Sequence, residues 1–323
     1  MKYAIVCGAL GALFAFGALP TSAVAQTYPD KPIKLLVTWP PGGSADAIGR
    51  LVAAALTTSL GQSVYVENAA GASGNIGTQQ FVRAPADGYT LLLATSTTNS
   101  AGPALFTKQG FQPVDDFVPV TPITLSPSIL IVAAGSPYKT PKDVIAAAKA
   151  APGKLTFGSG GNGNSGHLSA ELFKSVAKID AQHVPYKGNS PAMIDLIGGR
   201  LDFMFDNGAV PQIHGGKVRG LAVASDKRLT AVPDIPTFAE LGMPGVNLST
   251  WFGLAVPKGT PAPVVDKLNK AMTAALQKPD IVKRLHEMGS EPKTSTPAEF
   301  AVFWKQEIDR YRDLVKLSGA KVE

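Results

Sequence analysis

Apolar positions along the chain follow two alternating patterns. Short apolar runs typical of buried strands lie at 33–38, 63–67, 89–94, 129–134, 155–158, 182–186, 201–205 and 221–224. Stretches between them repeat apolar residues at helical spacing, most clearly over 47–60 and 167–177. This alternation of strand and helix patterns predicts an α/β fold with mostly parallel sheets.

Four Ser/Thr-Pro pairs mark predicted helix starts. Each places a hydroxyl side chain, a preferred N-cap, before a proline at the first helical position. The pairs are Thr140-Pro141, Ser190-Pro191, Thr260-Pro261 and Thr296-Pro297, and Glu299 completes a capping box with Thr296. The last helix then carries Phe300, Trp304, Ile308, Tyr311 and Val315. Their helical spacing predicts a face that packs against a sheet.

Two strand-like segments predict a division into two lobes. The segments SILIVAAGSP, 128–137, and WFGLAVPKGTP, 251–261, would carry the chain into a second lobe and back. We therefore expect residues 26–127 and 251–323 to form lobe 1 and residues 128–250 to form lobe 2. Two crossings of this kind form a hinge.

The N-terminus predicts export. Lys2, the apolar run 3–19 and the small-residue site ending at Ala25 are typical of a secretory signal peptide, residues 1–25, cleaved after Ala25. A membrane anchor is disfavoured because the run is marginal for spanning and a cleavage site follows it. Cys7 is the only cysteine. The mature periplasmic chain therefore has no disulfide, thiolate metal site or cysteine nucleophile.

The charge pattern argues against a nucleic-acid partner. The formal net charge of the whole chain is +6. Its basic residues are spread along the sequence without a Lys/Arg run or a stripe interleaved with aromatic residues. A mild positive excess of this kind only helps to gather anions.

Two glycine-rich loops, each between a predicted strand and a helix, predict a ligand cleft. They are PPGGSAD, 40–46, and GSGGNGNSGH, 158–167. A helix start offers unpaired N–H groups and partial positive charge, so a glycine turn there forms an anion site without a cationic side chain. Neither loop has the Lys-Ser/Thr ending of a nucleotide-binding P-loop. The predicted ligand is a carboxylate.

Other chemistries fit these residues poorly. Gly158-x-Gly160-x-x-Gly163 matches a dinucleotide fingerprint, but the acidic residue expected after the next strand is not in place. Ser165 and His167 do not form a nucleophile elbow, and two residues at a helix start point apart. The remaining histidines lack metal-site spacing. We expect no cofactor, no metal and no catalysis.

Seven segments carry a resemblance to a known family. They are VTWPPGGSADAIGR, LLLATSTTNSAGPALF, DDFVPVTPI, GSGGNGNSGHLSAELF, HVPYKGNSPAMIDLIGGRLDFMFDN, LAVASDKRLTAVPDIPTFAELGMPG and WFGLAVPKGTP. With these segments in fixed order, the chain resembles the Bordetella uptake gene family, the periplasmic substrate-binding proteins of tripartite tricarboxylate transporters. The resemblance implies a two-lobed, type II periplasmic binding protein with a cleft between its lobes, and we expect it to be a monomer. It would deliver a small carboxylate to a two-subunit, ion-driven inner-membrane permease without a cofactor or ATP.

By position, the resemblance implies fourteen ligand-site residues. They are Trp39, Gly42, Gly43, Asp46, Ser96, Thr97, Ser159, Asn164, Ser165, His167, Tyr186, Lys187, Gly188 and Asp206. Relatives more often carry phenylalanine at the position of Trp39, and its indole either stacks on a flat ligand or roofs the cleft. Asp46 either fixes its loop as a helix-start acid or contacts the ligand.

The other polar positions also keep two roles open. The hydroxyls of Ser96 and Thr97 donate to the ligand or satisfy turn backbone, whereas Ser165 is expected to cap its helix and offer its hydroxyl to the ligand. His167 is a cap or loop hydrogen bonder, or else a ligand contact.

The two charged positions in predicted lobe 2, Lys187 and Asp206, also have two possible roles each. Lys187 takes the second charge of a dicarboxylate or is simply solvated. Asp206 is a turn residue, or an acid that favours ligand hydroxyl or amino groups.

Transport is therefore the leading function. A secreted hydrolase is disfavoured because no acid, base and nucleophile converge, whereas a ligand sensor that signals to a membrane kinase would use the same cleft. The sequence does not name the carboxylate.

Overall fold

The computed structural model describes residues 28–320, which form two β-sheets flanked by helices. The strands are β1 Ile33–Val37, β2 Val64–Asn68, β3 Thr90–Thr95, β4 Phe117–Pro127, β5 Ile129–Ala133, β6 Thr156–Ser159, β7 Gln182–Pro185, β8 Phe203–Asp206, β9 Val218–Val223, β10 Ser249–Pro257 and β11 Glu291–Pro292. The α-helices are α1 Ser44–Leu60, α2 Asn75–Phe81, α3 Gly102–Leu105, α4 Pro141–Ala150, α5 Ser165–Ala177, α6 Asn189–Ile197, α7 Val210–His214, α8 Ala262–Leu276, α9 Pro279–Glu287 and α10 Pro297–Ser318. Each strand predicted from the apolar runs overlaps an observed strand. The predicted signal peptide 1–25, with Cys7, lies outside the described residues.

The strands divide between the sheets in two groups. Sheet 1 has the order β11-β4-β10-β3-β1-β2, and sheet 2 has the order β7-β6-β8-β5-β9. The chain passes directly from β4 to β5, with Ser128 between them, and returns to sheet 1 between β9 and β10.

The prediction of mostly parallel sheets is wrong, because both sheets are mixed. Strand β1 is parallel to β2 and β3, and β6 is parallel to β7 and β8. The pairs of β10 with β3 and β4, of β11 with β4, and of β5 with β8 and β9 are antiparallel. Strands β4, β5 and β10, which adjoin the passages between the sheets, run against their neighbours and take part in every antiparallel pair of the described sheets.

Strand β4 was missed by the sequence pattern because prolines interrupt it. Pro119 and Pro122 pair with Ala255 and Gly253 of β10 beside two irregularities in register. Proline cannot donate to a ladder and is tolerated in strands mainly at such irregularities.

Two apolar clusters cover the faces of sheet 1. Helices α1 and α8 pack on one face. Trp251 of β10 packs with Phe300, Trp304 and Ile308 of α10 on the other, so the predicted core role of this helix is confirmed. Its final turns reach further, because Tyr311 and Val315 share a cluster with Leu168 of α5 beside sheet 2.

Two of the four predicted helix starts differ from the structure. Thr140 and Thr296 form capping boxes as predicted, with Asp143 and Glu299. Helix α6 instead begins at Asn189 behind an N-cap glycine, and α8 begins after Pro261. In both cases the predicted capping hydroxyl donates to a carbonyl elsewhere, from Ser190 to Gly42 at 3.4 Å and from Thr260 to Pro257 at 2.8 Å.

Within the described part of the chain, no helix combines the length and apolar character needed to cross a membrane.

A candidate ligand cleft between the two sheets

A cleft lies between the two sheets and takes residues from both sides. It encloses about 730 Å³ when its open mouth is counted. Its walls are formed by Trp39, Pro40, Pro41, Gly43, Ser44, Ala45, Thr95, Thr97, Asn164, Ser165, Lys187, Gly188, Asn189, Ser190, Pro191, Asn207, Thr250 and Phe252. Within residues 28–320, no three His, Cys, Asp or Glu side chains gather as a metal site would require.

Three helices begin at this cleft. The N-cap residues of α1, α5 and α6 are Gly43, Asn164 and Gly188, and all three line it. Neither glycine N-cap supplies a side-chain cap, so the first N–H groups of α1 and α6 lack that partner. Helix N-termini carry partial positive charge, and three of them make the cleft attractive to an anion.

The buried carboxylate of Asp46 holds the first glycine-rich loop in place. This carboxylate accepts hydrogen bonds from Gly42 N–H at 3.1 Å, from Arg50 Nε at 3.0 Å and from Asn68 Nδ2 at 3.1 Å. Burial alone would raise the pKa of this carboxyl, but these hydrogen bonds outweigh it and hold the pKa below its usual value. Gly42 has φ of +84°, a left-handed conformation that favours glycine. Asp46 thus fixes the turn and does not line the cleft.

Trp39 forms a fixed wall of the cleft. Its indole Nε1 donates to Thr95 Oγ1 at 3.3 Å, and its carbonyl accepts from Asn68 Nδ2 at 3.0 Å. The half-buried ring also packs against the apolar cluster under α1. These contacts hold the indole in place before any ligand arrives.

The second glycine-rich loop supports an amide pair at the cleft wall. Asn164 Nδ2 donates to Asn189 Oδ1 at 2.8 Å, which joins the starts of α5 and α6. A Cβ at Gly160 would lie 2.3 Å from Asn189 Oδ1, so this pair needs a glycine there. Asn164 also caps α5 by accepting from His167 N–H at 3.0 Å. The predicted cap, Ser165, is instead the first residue of that helix.

Two stacked histidines lie behind this loop. The rings of His167 and His183 lie 3.9 Å apart and nearly parallel. His167 Nδ1 accepts from Gly163 N–H at 3.0 Å, and His183 Nε2 lies 2.6 Å from Ser159 Oγ. Burial lowers the pKa of His167 to about 3, helped by His183 and Lys174, and lowers that of His183 to about 4. Both rings are therefore neutral near pH 7 and support the loop.

Two buried polar atoms at the cleft wall have no hydrogen-bond partner. They are Asn207 Nδ2 and Thr250 Oγ1, whose residues are each 3% exposed. A buried polar atom without a partner is costly, and such atoms at a cleft wall indicate a place for a ligand or water. Ser44 Oγ on the opposite side donates to Asn207 Oδ1 at 3.4 Å.

Asp206, beside Asn207, is fully buried and does not line the cleft. It accepts from Gly208 N–H at 2.7 Å and from the Asn189 side chain. Burial raises the pKa of this carboxyl despite those bonds. It therefore braces the turn after β8, which carries Asn207 to the cleft.

The structure brings seven of the fourteen predicted residues to the cleft wall. These are Trp39, Gly43, Thr97, Asn164, Ser165, Lys187 and Gly188. Five are buried behind the wall, namely Asp46, Ser96, Ser159, His167 and Asp206. Gly42 is exposed beside the cleft, and Tyr186 lines a neighbouring chamber. The residues that sequence reasoning missed include Ser44, Asn189, Asn207, Thr250 and Phe252. Ser44 and Asn189 could have been predicted as site residues from the helix starts, since each directly follows an N-cap glycine.

A second chamber of about 920 Å³, open to solvent, adjoins the cleft. The two share Trp39, Pro40, Lys187 and Gly188. Its other walls are mainly glycine-rich backbone of the 71–74 turn and of residues 160–161. Lys187 is exposed and lies where the two chambers meet.

Comparison with known proteins identifies the family. Residues 48–319 match the tripartite tricarboxylate transporter family receptor. The chain belongs to this family. It is 36% identical over 317 residues to Protein BugT of Bordetella pertussis, covering 97% of each chain, which confirms the resemblance to Bordetella uptake proteins. It is also 38% identical over 293 residues to a UPF0065 protein from the tcbD-tcbE intergenic region of a Pseudomonas species, covering 90% of this chain and 87% of that one.

Solved structures give the same result for the fold. A periplasmic transporter is 42% identical, with a TM-score of 0.87 and coverage of 92% and 100%. Rpa4515 of Rhodopseudomonas palustris, solved with adipate, is 34% identical, with a TM-score of 0.87 and coverage of 91% and 99%. MatC from the same organism, with bound malate, is 33% identical, with a TM-score of 0.82 and coverage of 89% and 100%. This receptor therefore has the two-lobed α/β fold of periplasmic binding proteins, and its family binds solutes rather than catalysing reactions.

Proposed function

We propose that this receptor captures a small organic carboxylate in the cleft and delivers it, as a monomer, to a two-subunit, ion-driven permease in the inner membrane. Export by the signal peptide 1–25 would place it in the periplasm. The adipate and malate of its structural neighbours support a carboxylate as the ligand.

The convergence of three helix starts on one cleft carries this proposal. The cleft wall, as described, contains no acidic side chain, and its one cationic side chain is Lys187. The wall offers hydrogen-bond donors for a carboxylate, namely main-chain N–H groups, Asn207 Nδ2 and Thr250 Oγ1. These donors can hold the negative charge without a buried cationic side chain. A neutral sugar would leave the helix dipoles unused, whereas a carboxylate uses them directly.

Contacts across the cleft support closure around the ligand. Ser190 Oγ donates to Gly42 O at 3.4 Å, and Ser73 Oγ donates to Asn162 O at 3.2 Å. We propose that lobe 1, 26–127 with 251–323, and lobe 2, 128–250, rotate about the β4-β5 and β9-β10 passages. In the open form these few bonds would exchange with water.

A thermal-shift screen tests the proposal. A ligand present at a hundred times its dissociation constant adds about 2.7 kcal/mol of stability. We expect at least one mono- or dicarboxylate, and no neutral sugar, to raise the melting temperature. Stabilisation by sugars alone would refute the carboxylate assignment.

The Asn207→Asp variant tests the site itself. It keeps the side-chain shape but replaces an unpartnered donor with a carboxylate that repels the ligand. Binding of the acid identified in the screen should weaken by at least tenfold, about 1.4 kcal/mol. Gln277→Glu makes the same charge change on the exposed surface and should leave affinity unchanged. Equal affinities of the two variants would place the ligand elsewhere.

A further inference from the structure

Ring side chains dominate the apolar part of the cleft wall. Five of its eighteen residues carry rings, namely Trp39, Pro40, Pro41, Pro191 and Phe252. Three belong to the loop after β1, one to α6 on the opposite side and one to β10. The two aromatic rings, Trp39 and Phe252, come from the sheet 1 side of the cleft, and Pro191 adds a saturated ring from the other side.

These walls are rigid before the ligand binds. The Trp39 indole is tied to Thr95 and its carbonyl to Asn68. Phe252 is 2% exposed and packed into the sheet 1 core. Proline has a fixed φ and little side-chain freedom. A rigid flat wall loses little entropy on binding and favours a rigid flat ligand.

The charges at the cleft limit the number of carboxylates that it can bury. Within the described wall, the polar contributors other than Lys187 are neutral side chains and main-chain groups. Lys187 is exposed where the two chambers meet. The helix starts, with Asn207 and Thr250, supply neutral donors for one carboxylate, whereas a second would have to compete with water for the exposed Lys187. Burying an unpaired charge is strongly disfavoured.

We propose that the preferred ligand is a planar aromatic monocarboxylate. Its carboxylate lies at the starts of α1, α5 and α6 beside Asn207 and Thr250, and its ring lies against Trp39. This inference rests on the proposed carboxylate-binding function and adds the class of acid.

A matched set of acids tests it by calorimetry on the mature protein, freed of bound ligand by unfolding and refolding. Benzoate and cyclohexanecarboxylate have the same charge and nearly the same size, but only benzoate is flat. Benzoate should bind about fivefold more tightly, the advantage of an aromatic pair, and more tightly than adipate or malate. Equal binding of benzoate and cyclohexanecarboxylate would overturn the inference. Binding of adipate or malate alone would also overturn it but leave the carboxylate function standing, whereas failure of every acid would refute both.

Trp39 variants test the wall directly. Trp39→Phe keeps a flat ring and should retain the preference for benzoate over cyclohexanecarboxylate. Trp39→Leu should reduce this ratio to about one, and its melting temperature without ligand reports whether it folds. An unchanged ratio in a folded Trp39→Leu variant would contradict the stacking role.

Intrinsic fluorescence supplies a second readout that a general packing defect would not reproduce. The other two tryptophans, Trp251 and Trp304, are 0% and 2% exposed. Benzoate should change the emission of the unaltered protein but not that of Trp39→Phe, although both bind it. An equal change in both proteins would place the ring away from Trp39.

Discussion

Gly43 lines the cleft at the start of α1, where we propose that the carboxylate binds. A Cβ there would contact nothing closer than Pro40 O at 3.9 Å, and its φ of −90° suits any residue. The protein itself therefore leaves room for a side chain at this position. We infer that glycine is needed there for the ligand rather than for the fold.

Substitution of Gly43 tests this inference. Gly43→Val should fold normally but place its methyl groups in the cleft and weaken carboxylate binding by at least tenfold, about 1.4 kcal/mol, with Gly43→Ala intermediate. Calorimetry measures the affinity and thermal unfolding the stability. Gly135→Val is the control, because its Cβ also meets nothing within 4 Å and it lies outside the cleft wall. Full affinity in Gly43→Val would contradict the role of the loop.

Asp46 provides a residue-scale prediction about pH. Its folded-state pKa lies below the ordinary value of 3.8, so the ionised form stabilises the fold above that value and the contribution is lost as pH falls through the folded pKa. Asp46→Asn should cost about 1–3 kcal/mol at pH 7, and the deficit should shrink in strong acid. Urea unfolding at several pH values measures it, and a deficit that stays constant down to the most acidic condition would be inconsistent with this assignment.

At the scale of elements, the sequence predicted a helix start correctly where nearby residues in the chain form the cap. Thr140 and Thr296 cap helices because the acid that completes each capping box is three residues away. Ser190 also precedes a proline, but Met193, three residues later, cannot complete a capping box, and the Ser190 hydroxyl instead donates across the cleft to Gly42 O, 148 residues away in the chain. Strand β4 likewise forms through pairing with the distant β10. Its prolines interrupt the apolar run, so the sequence pattern did not predict it.

The histidine pair behind the second glycine-rich loop predicts a loss of stability in acid. Burial lowers the pKa of His167 to about 3 and that of His183 to about 4, from the ordinary histidine value of 6.5 that applies in the unfolded state. The unfolded state therefore binds more protons below pH 6.5, and stability present above that pH is lost as pH falls toward 4. Glu171, 3.8 Å from His167, and Lys174 also face the pair.

The expected slope is about 1.4 kcal/mol per pH unit for each proton taken up. The His183→Phe variant keeps a stacking ring but takes up one proton fewer, so its slope should be smaller by about 1.4 kcal/mol per pH unit. Equilibrium unfolding between pH 6 and 4.5 measures both slopes. Identical slopes would show that the pair does not resist protonation.

At the scale of the whole molecule, the sequence predicted two lobes, two glycine-rich loops and an anionic ligand. It missed Asn207, Thr250 and Phe252, since these residues become neighbours of the loops only when two sheets face each other. Asn207 directly follows β8 of sheet 2, whereas Thr250 belongs to β10 of sheet 1. Which chain segments rotate on closure stays a prediction.

Closure itself is testable by small-angle X-ray scattering. If ligand binding favours the closed form with its Ser190 and Ser73 contacts, saturating acid should reduce the radius of gyration. A neutral sugar at the same concentration should leave it unchanged. Superimposable curves with and without acid would argue against a hinge that the ligand controls.

The most direct test of the central claim is a crystal structure with a bound acid. The account predicts carboxylate oxygens within hydrogen-bond distance of N–H groups at the starts of α1 and α6, and contact with Asn207 Nδ2 or Thr250 Oγ1. An acid bound away from these helix starts, or held mainly by cationic side chains, would contradict it.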